Sequence, residues 1–352
     1  MVQNPDTLPE ALLLIRQWYA ASRRLLPWRE DPTPYHTWIA EIMLQQTRIE
    51  AVIPYYTRFL RELPDVASLA AVSEDRLLKL WEGLGYYSRA RNLKKAALMI
   101  MERWNGVIPA DAEELKKLPG IGDYTAGSIA SIAFGLPEPA VDGNVMRVMT
   151  RLLACSDDIS VPATKKSITV LLRAEYPSGE QAALLTEGIM ELGETVCLPN
   201  AVPRCENCPI RGLCTAHQEG EELSYPVKSA GKARRIEEKT VFLLHCGSRF
   251  AIRRRPEGGL LAGLWEFPNC DGILSAEEIA DYAAANGLHM MSLEPLGDTK
   301  HVFTHVEWNM SGWLLNCAEE TAAFSWKTPE EISQGYSLPT AFRFYQKKLD
   351  AV

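Results

Sequence analysis

The sequence has no surplus of positive charge. Lys and Arg number 37 against 45 Asp and Glu, a formal net charge of −8. A generic nucleic-acid binder shows a basic domain. Acids outnumber bases both before and after His217, so neither half supplies one. Contact with a polyanion must therefore use local basic patches and neutral donors such as helix N-termini. Also missing is an apolar run of roughly 18 residues, the length of a membrane span. The opening MVQNPDTLPEALLLIRQWYAASRR places acids ahead of its apolar stretch, so it reads as an amphipathic helix and not a signal peptide. A cytoplasmic monomer with no membrane association is expected. No internal repeat and no low-complexity tract occurs.

The eight cysteines are not spread as a secreted disulfide framework would spread them. Four crowd into residues 197 to 214, and Cys155, Cys246, Cys270 and Cys317 are scattered. The cluster reads as a metal site in a reducing compartment. Its spacing is Cys197-x7-Cys205-x2-Cys208-x5-Cys214. Structural zinc and an iron–sulfur centre both accept four thiolates. One close pair flanked by single cysteines favours a 4Fe–4S cluster over zinc, whose sites usually join two close pairs. Such a centre can serve only as a staple. Arg204 and Arg211 lie inside the loop, placed to meet phosphates.

What is present fits two domains: 352 residues, 47% of them hydrophobic. Residues 7–195 have 3.6-residue periodicity, which predicts helices over 8–22, 35–46, 49–62, 74–82, 88–104, 123–134, 143–154, 163–174 and 180–193. Turn signals such as EDPTP, NGVIP and YPSG separate them. Residues 1–217 thus read as an all-α domain, and the polar stretch 218–238 as a linker. In residues 239–352 the segments TVFLLHC, RFAIRRR, HVFTHVEWNMSGWLLNC and AAFSWK read as strands. SAEEIADYAAANG and TAFRFYQKKLDAV read as helices, which makes an α+β domain.

Three places could carry chemistry. LPGIGDYTAG, residues 118–127, reads as a turn through Gly120 and Gly122 into a helix. Amides at that helix start point outward and can bind one phosphate, although an ordinary αα-turn reads the same way. Glu41 sits among Trp38, Ile39, Ile42, Met43 and Leu44, either at the edge of an amphipathic helix or partly buried with a raised pKa. Asp142 precedes a periodic helix and suits an N-cap, but the apolar Pro-Ala-Val before it would also let it project into a pocket.

LPGIGDYTAG, VDGNVMRV and the four-cysteine loop resemble the helix-hairpin-helix DNA glycosylases that carry an iron–sulfur cluster. EIMLQQTRIEAVIPYY, LWEGLGYYSRARNL and the appended α+β domain narrow the resemblance to the MutY family of adenine DNA glycosylases. It covers nearly the whole chain. The seven-residue first cysteine gap is one longer than the family's.

The resemblance implies a monofunctional glycosylase that acts on double-stranded DNA and excises adenine opposite 8-oxoguanine or guanine. Breaking an N-glycosidic bond passes through an oxocarbenium-like state, so one acid protonates the leaving base and another steadies the sugar cation. By resemblance Glu41 is the general acid, Asp142 the cation stabiliser, and Asn144 their orienter. Tyr124 stands where bifunctional relatives carry the lysine that forms a Schiff base, which a tyrosine cannot do. Arg29 resembles a pocket residue. The base must be everted, and Gln46, Thr47, Leu84 and Tyr86 resemble the residues that meet the orphan base and wedge beside it. The C-terminal domain resembles the family's Nudix-like domain without a glutamate box, which implies binding without hydrolysis. Phe303-Thr304-His305 stands where the family reads 8-oxoguanine with Phe-Ser-His. The alternatives are a bifunctional glycosylase/lyase, a catalytically inert lesion sensor, and a zinc-stapled Nudix hydrolase.

Overall fold

Apolar residues occupy almost every side of one short helix, and the helical part of the protein is built around it. In Pro34–Leu44, Tyr35 and every residue from Thr37 to Met43 are buried. A helix that is apolar all round belongs inside a bundle rather than on its surface. The computed structural model describes residues 6–229 and 233–349. The chain divides into two compact units, Met1–Ala71 with Arg91–Ala230, and Val72–Ala90 with Gly231–Val352.

The helices up to residue 218 are α1 (Leu8–Ser22), α2 (Pro27–Glu30), α3 (Pro34–Leu44), α4 (Ile49–Glu62), α5 (Val66–Ala71), α6 (Glu74–Trp81), α7 (Ser88–Trp104), α8 (Ala112–Lys116), α9 (Asp123–Phe134), α10 (Gly143–Leu152), α11 (Pro162–Ala174), α12 (Glu180–Thr195) and α13 (Thr215–Gln218). All nine helices expected from periodicity are present, with ends shifted by no more than two residues. The short α2, α5, α8 and α13 are additional. None spans enough turns for a periodic signal to emerge.

Helix α1 buries Leu8, Ala11, Leu12, Ile15 and Tyr19, an i, i+3, i+4, i+7 stripe, against α12. That stripe joins one core with Val145, Val148 and Met149 of α10 and Leu185, Ile189 and Leu192 of α12. Helix α9 packs on both α3 and α12. Helix α3 itself packs against α9, α4 and α2.

The second unit is a seven-stranded sheet with helices. Its strands are β1 (Arg235–Cys246), β2 (Arg249–Arg254), β3 (Trp265–Glu266), β4 (Asn269–Asp271), β5 (Met290–Val302), β6 (Val306–Cys317) and β7 (Ser325–Lys327). The order is β3-β2-β1-β6-β5, with β4 paired to β1 and β7 to β2. β1 and β6 run parallel, from Arg235 opposite Val306 to His245 opposite Asn316. Helices α14 (Ala276–Ala285), α15 (Pro329–Gly335) and α16 (Arg343–Gln346) complete it. Two apolar clusters form, one around Phe242, Leu244 and Ile279, the other around Phe250, Trp308 and Phe342.

Several boundaries differ from the sequence reading. β1 begins at Arg235, inside the stretch read as linker. The segment read as one strand from His301 to Cys317 is a hairpin, with β5 and β6 joined through residues 303–305. β5 was not anticipated, because it lies at the sheet edge with a mostly exposed face and carries Pro295 and Gly297. The helix expected over 340–352 is a 3₁₀ turn, Thr340–Phe342, followed by α16; residues 350–352 lie outside the described residues. Residues 72–90 pack with the C-terminal unit rather than the helical one. Ser337 Oγ donates to Leu78 O (3.1 Å), Lys79 Nζ to Tyr336 O (3.1 Å), and Leu338 N to Glu82 Oε1 (2.9 Å).

Candidate active site

A cavity of about 300 Å³ opens in the helical unit where α3, α9, α10 and α12 meet. Glu41, Tyr124, Asp142, Asn144, Arg29 and Thr47 all line it. The helical surround of α3 leaves Glu41 only 7% exposed. Burial pushes its carboxyl up to about 7, and the nearby Asp142 and Glu187 carboxylates push the same way. Tyr124, in the first turn of α9, donates its hydroxyl to Glu41 Oε2 at 2.5 Å. The phenol itself is held well above its usual range by burial and by Glu41, so it stays a donor.

Asp142 is both the N-cap of α10 and a wall of the cavity, so its two readings from sequence coincide. Its Oδ1 accepts from Val145 N (2.8 Å) and its Oδ2 from Asn144 Nδ2 (2.9 Å). Burial raises its carboxyl, while these donors and the Arg147 guanidinium pull the other way. Two neighbouring acids resist ionising together. Asp142 has both oxygens already accepting, which favours its charged form over that of the more enclosed Glu41.

Asn144 is held in turn. Arg147 Nη2 donates to Asn144 Oδ1 and to Gly193 O, both at 2.7 Å, and Arg147 Nε donates to Cys197 O at 2.7 Å. A Cβ on Gly193 would sit 2.6 Å from Asn144 Cβ, so only glycine lets α12 pass this close. One turn further along α10, Arg151 Nη1 reaches Cys197 Sγ (3.2 Å) and Leu198 O (3.1 Å).

The sequence reading missed the carboxylates of α12. Arg29 does line the cavity, but its guanidinium is tied to Glu191 Oε2 (2.9 Å) and Glu187 Oε1 (3.5 Å) and lies over the Tyr19 ring. Tyr19 also donates to Glu187 Oε2 at 3.0 Å. Burial raises Glu187. Burial also pushes Glu191 up, but its bonds to Arg24 and Arg29 outweigh that and hold it low. The available signal was Glu187, Glu191 and Glu194 on one face of a helix with four acids and no basic residue of its own.

The four loop cysteines form no disulfide and line one small cavity together, with Arg151 beside them. Burial and the Glu222 carboxylate push Cys205 up to about 11, and burial with the neighbouring cysteines pushes Cys208 up to about 12 and raises Cys214. Four partly buried cysteines lining one space fit a cationic centre, which would hold them as thiolates. Cys205, His217 and Glu222 also lie within 4.8 Å of one another, although His217 and Glu222 already bond at 2.5 Å.

Residues 39–174 match the HhH-GPD superfamily of base excision DNA repair proteins, and residues 240–348 match the NUDIX domain. The human adenine DNA glycosylase is 32% identical over 399 aligned residues, 94% of this chain and 72% of the human protein. That of Buchnera aphidicola from Schizaphis graminum is 35% identical, over 73% of this chain and 74% of the relative. The chain belongs to the MutY family of adenine DNA glycosylases. It is a DNA N-glycosylase. The solved structure of a trapped endonuclease III–DNA covalent intermediate shares its helical fold, with a TM-score of 0.53 and 27% identity over 62% of this chain and 99% of the other.

The other residues singled out from the MutY resemblance fall in two places. Gly120 and Gly122 lie in the hairpin of the helical unit. Gly120 takes a φ of +82° in the turn, and Gly122 opens α9 with no side chain capping the helix. Gln46 follows α3 in a left-handed conformation, φ 57°, exposed beside Thr47. Leu84, Tyr86 and residues 303–305 belong to the C-terminal unit. Arg89 pins their loop by donating to Leu84 O (3.0 Å) and Gly85 O (3.1 Å). Leu84 is 7% exposed and Tyr86 45%. Tyr86 and Thr304 share a hydrogen bond of 2.6 Å between their hydroxyls. Phe303 is edge-on to Trp308 and His301, while Thr304 and His305 face outward in the turn.

Two outcomes are expected. A carboxyl raised by burial contributes stability that is complete below about pH 4.5 and is lost as pH rises through about 7. Glu41→Gln removes that loss, so the variant should gain roughly 2–3 kcal/mol on the parent between pH 5 and pH 8, read from denaturant melts at each pH. Gly193→Ala should force Asn144 aside and destabilise the fold by about 1–3 kcal/mol in the same melts.

Proposed function

We propose that this chain is a monofunctional glycosylase that excises adenine paired with 8-oxoguanine or guanine in double-stranded DNA. The observation that carries the reading is the buried Glu41 carboxyl, bonded to Tyr124 and sharing its cavity with Asp142. Glu41 delivers its proton to the imidazole nitrogen of an everted adenine. The C1′–N9 bond then breaks with its electrons on the base. Asp142 offsets the positive charge left on the sugar. The Glu41 carboxylate takes a proton from the attacking water and returns to its starting form. Hydrolysis leaves an abasic site. No amine lines the cavity at Tyr124's place, so nothing there forms a Schiff base. Glu187 offers an acceptor suited to an adenine amino group, and Arg29 a donor suited to a ring nitrogen.

Cys197, Cys205, Cys208 and Cys214 would hold a 4Fe–4S cluster, whose contribution is to tie the 197–214 loop to α10. The uncapped start of α9 suits a DNA phosphate. Gln46 and Thr47 contact the orphaned partner base, and Tyr86 is the wedge. Phe303, Thr304 and His305 read its 8-oxo group, with the Thr304 hydroxyl as the hydrogen-bonding part. The C-terminal unit, without a glutamate box, binds and does not hydrolyse.

Glu41→Gln should lower single-turnover excision from an adenine:8-oxoguanine duplex by about 10²–10⁴-fold while DNA affinity holds. An unchanged rate would remove Glu41 as the acid, and a strong borohydride-trapped adduct with the parent protein would identify a lyase instead. Purified protein should be brown and carry about four iron atoms per chain; one zinc per chain would overturn the cluster assignment.

A further inference from the structure

Glu41 has a neighbour that the mechanism above does not use. Helices α3 and α9 run past each other with Gln45 Nε2 donating to Thr125 Oγ1 at 3.3 Å and Tyr124 bonded to Glu41. Ser128 lies one turn beyond Tyr124 on the same face of α9, which brings it opposite Glu41. It is 0% exposed, and its hydroxyl makes no well-formed hydrogen bond, although it stands close enough to Glu41 to act on the carboxyl as a weak donor. A buried hydroxyl left unpaired costs about 1–3 kcal/mol. The other two buried hydroxyls of α9, Thr125 and Ser131, both have hydrogen-bond partners, so an unpaired one at Ser128 would be better replaced by alanine unless it has a use. Of the groups around Glu41, Ser128 stands second to Tyr124 among those that favour its charged form.

We propose that Ser128 is a positioning residue for Glu41, a reserve donor whose hydroxyl closes on the carboxylate once the proton has left. The proposal rests on the reading of Glu41 as the acid that gives up and recovers a proton. In the resting state Tyr124 occupies Oε2 and the other carboxyl oxygen carries the proton. After transfer both oxygens are acceptors. A donor at Ser128 then completes the pair, holds the carboxylate toward the attacking water, and keeps it from withdrawing to another partner.

The charged and titratable groups around the same cavity are Tyr124 on α9, Asp142 at the head of α10, Glu187, Glu191 and Glu194 on α12, Arg29 on α2, and Arg48 before α4. Asp142 and Glu187 disfavour ionisation of Glu41, and Tyr124 and Ser128 favour it. Loss of the Ser128 donor must therefore raise the pH at which Glu41 ionises. Thr37 is the natural control. It lines the cavity and, like Ser128, has an unpaired buried hydroxyl, but it sits on α3 itself, one turn before Glu41.

The test uses the full chain with its metal centre, labelled with ¹³C at glutamate Cδ, the Glu41 signal being the one that disappears in Glu41→Gln. In Ser128→Ala that signal should titrate about one pH unit higher than in the parent. The alkaline limb of the single-turnover pH profile should move with it, and Thr37→Val should leave the titration in place. An unmoved Glu41 signal in Ser128→Ala, with a raised Tm from losing an orphan hydroxyl, would overturn the proposal. So would an equal rise in Thr37→Val, which would point to general pocket polarity. A parent protein without excision activity would sink the glycosylase chemistry instead, and the Cδ titration would still decide the role of Ser128.

Discussion

Everything at this site depends on keeping one carboxyl away from water. A glutamate on a solvated surface would ionise near pH 4.5 and could give no proton at neutral pH. Helix α3 prevents that by being apolar on nearly every side, so the bundle closes around it. The same enclosure makes each remaining polar contact matter. In a low-dielectric pocket a single phenol or hydroxyl decides where a proton rests. Tyr124, Asp142 and Glu187 are therefore parts of one titrating assembly.

Helix α10 joins that assembly to the cysteine loop. Its first residues cap the helix with Asp142, its second turn supplies Arg147, and its third turn supplies Arg151. The run from Asp142 through Asn144 and Arg147 to the Cys197 carbonyl consists of charge-assisted or side-chain hydrogen bonds, without a gap. The Cys197 end of the cysteine loop is thus linked to the rotamer of a carboxylate in the cavity. Gly193 shows how tight the fit is, since α12 leaves no room for one methyl group.

Much of this was legible in the sequence, but not all for the same reason. The long helices were readable because their apolar stripes repeat over several turns. The carboxylate pair was readable only through the family resemblance. From periodicity alone Glu41 looks like a surface residue, because a helix buried on all sides and an amphipathic one with a single acid read alike over eleven residues. Glu187 and Glu191 were overlooked because α12 reads as an ordinary helix until its acids are matched with Arg24 and Arg29, far upstream in the chain. The edge strand β5 lacks alternation because little of it faces the core. The place of residues 72–90 could not be read locally, since the bond that ties Glu82 to Leu338 spans 256 residues.

That last attachment changes what a domain means in this chain. The polar stretch near residue 230 invites a cut there, yet the C-terminal sheet keeps a helix and a loop borrowed from far upstream. A piece beginning at the linker would lose α6, strand the Ser337 hydroxyl and the Leu338 amide without acceptors, and separate Thr304 from Tyr86. Along the sequence the C-terminal unit is drawn from two separate stretches, so no cut at a single peptide bond parts the chain into its two units.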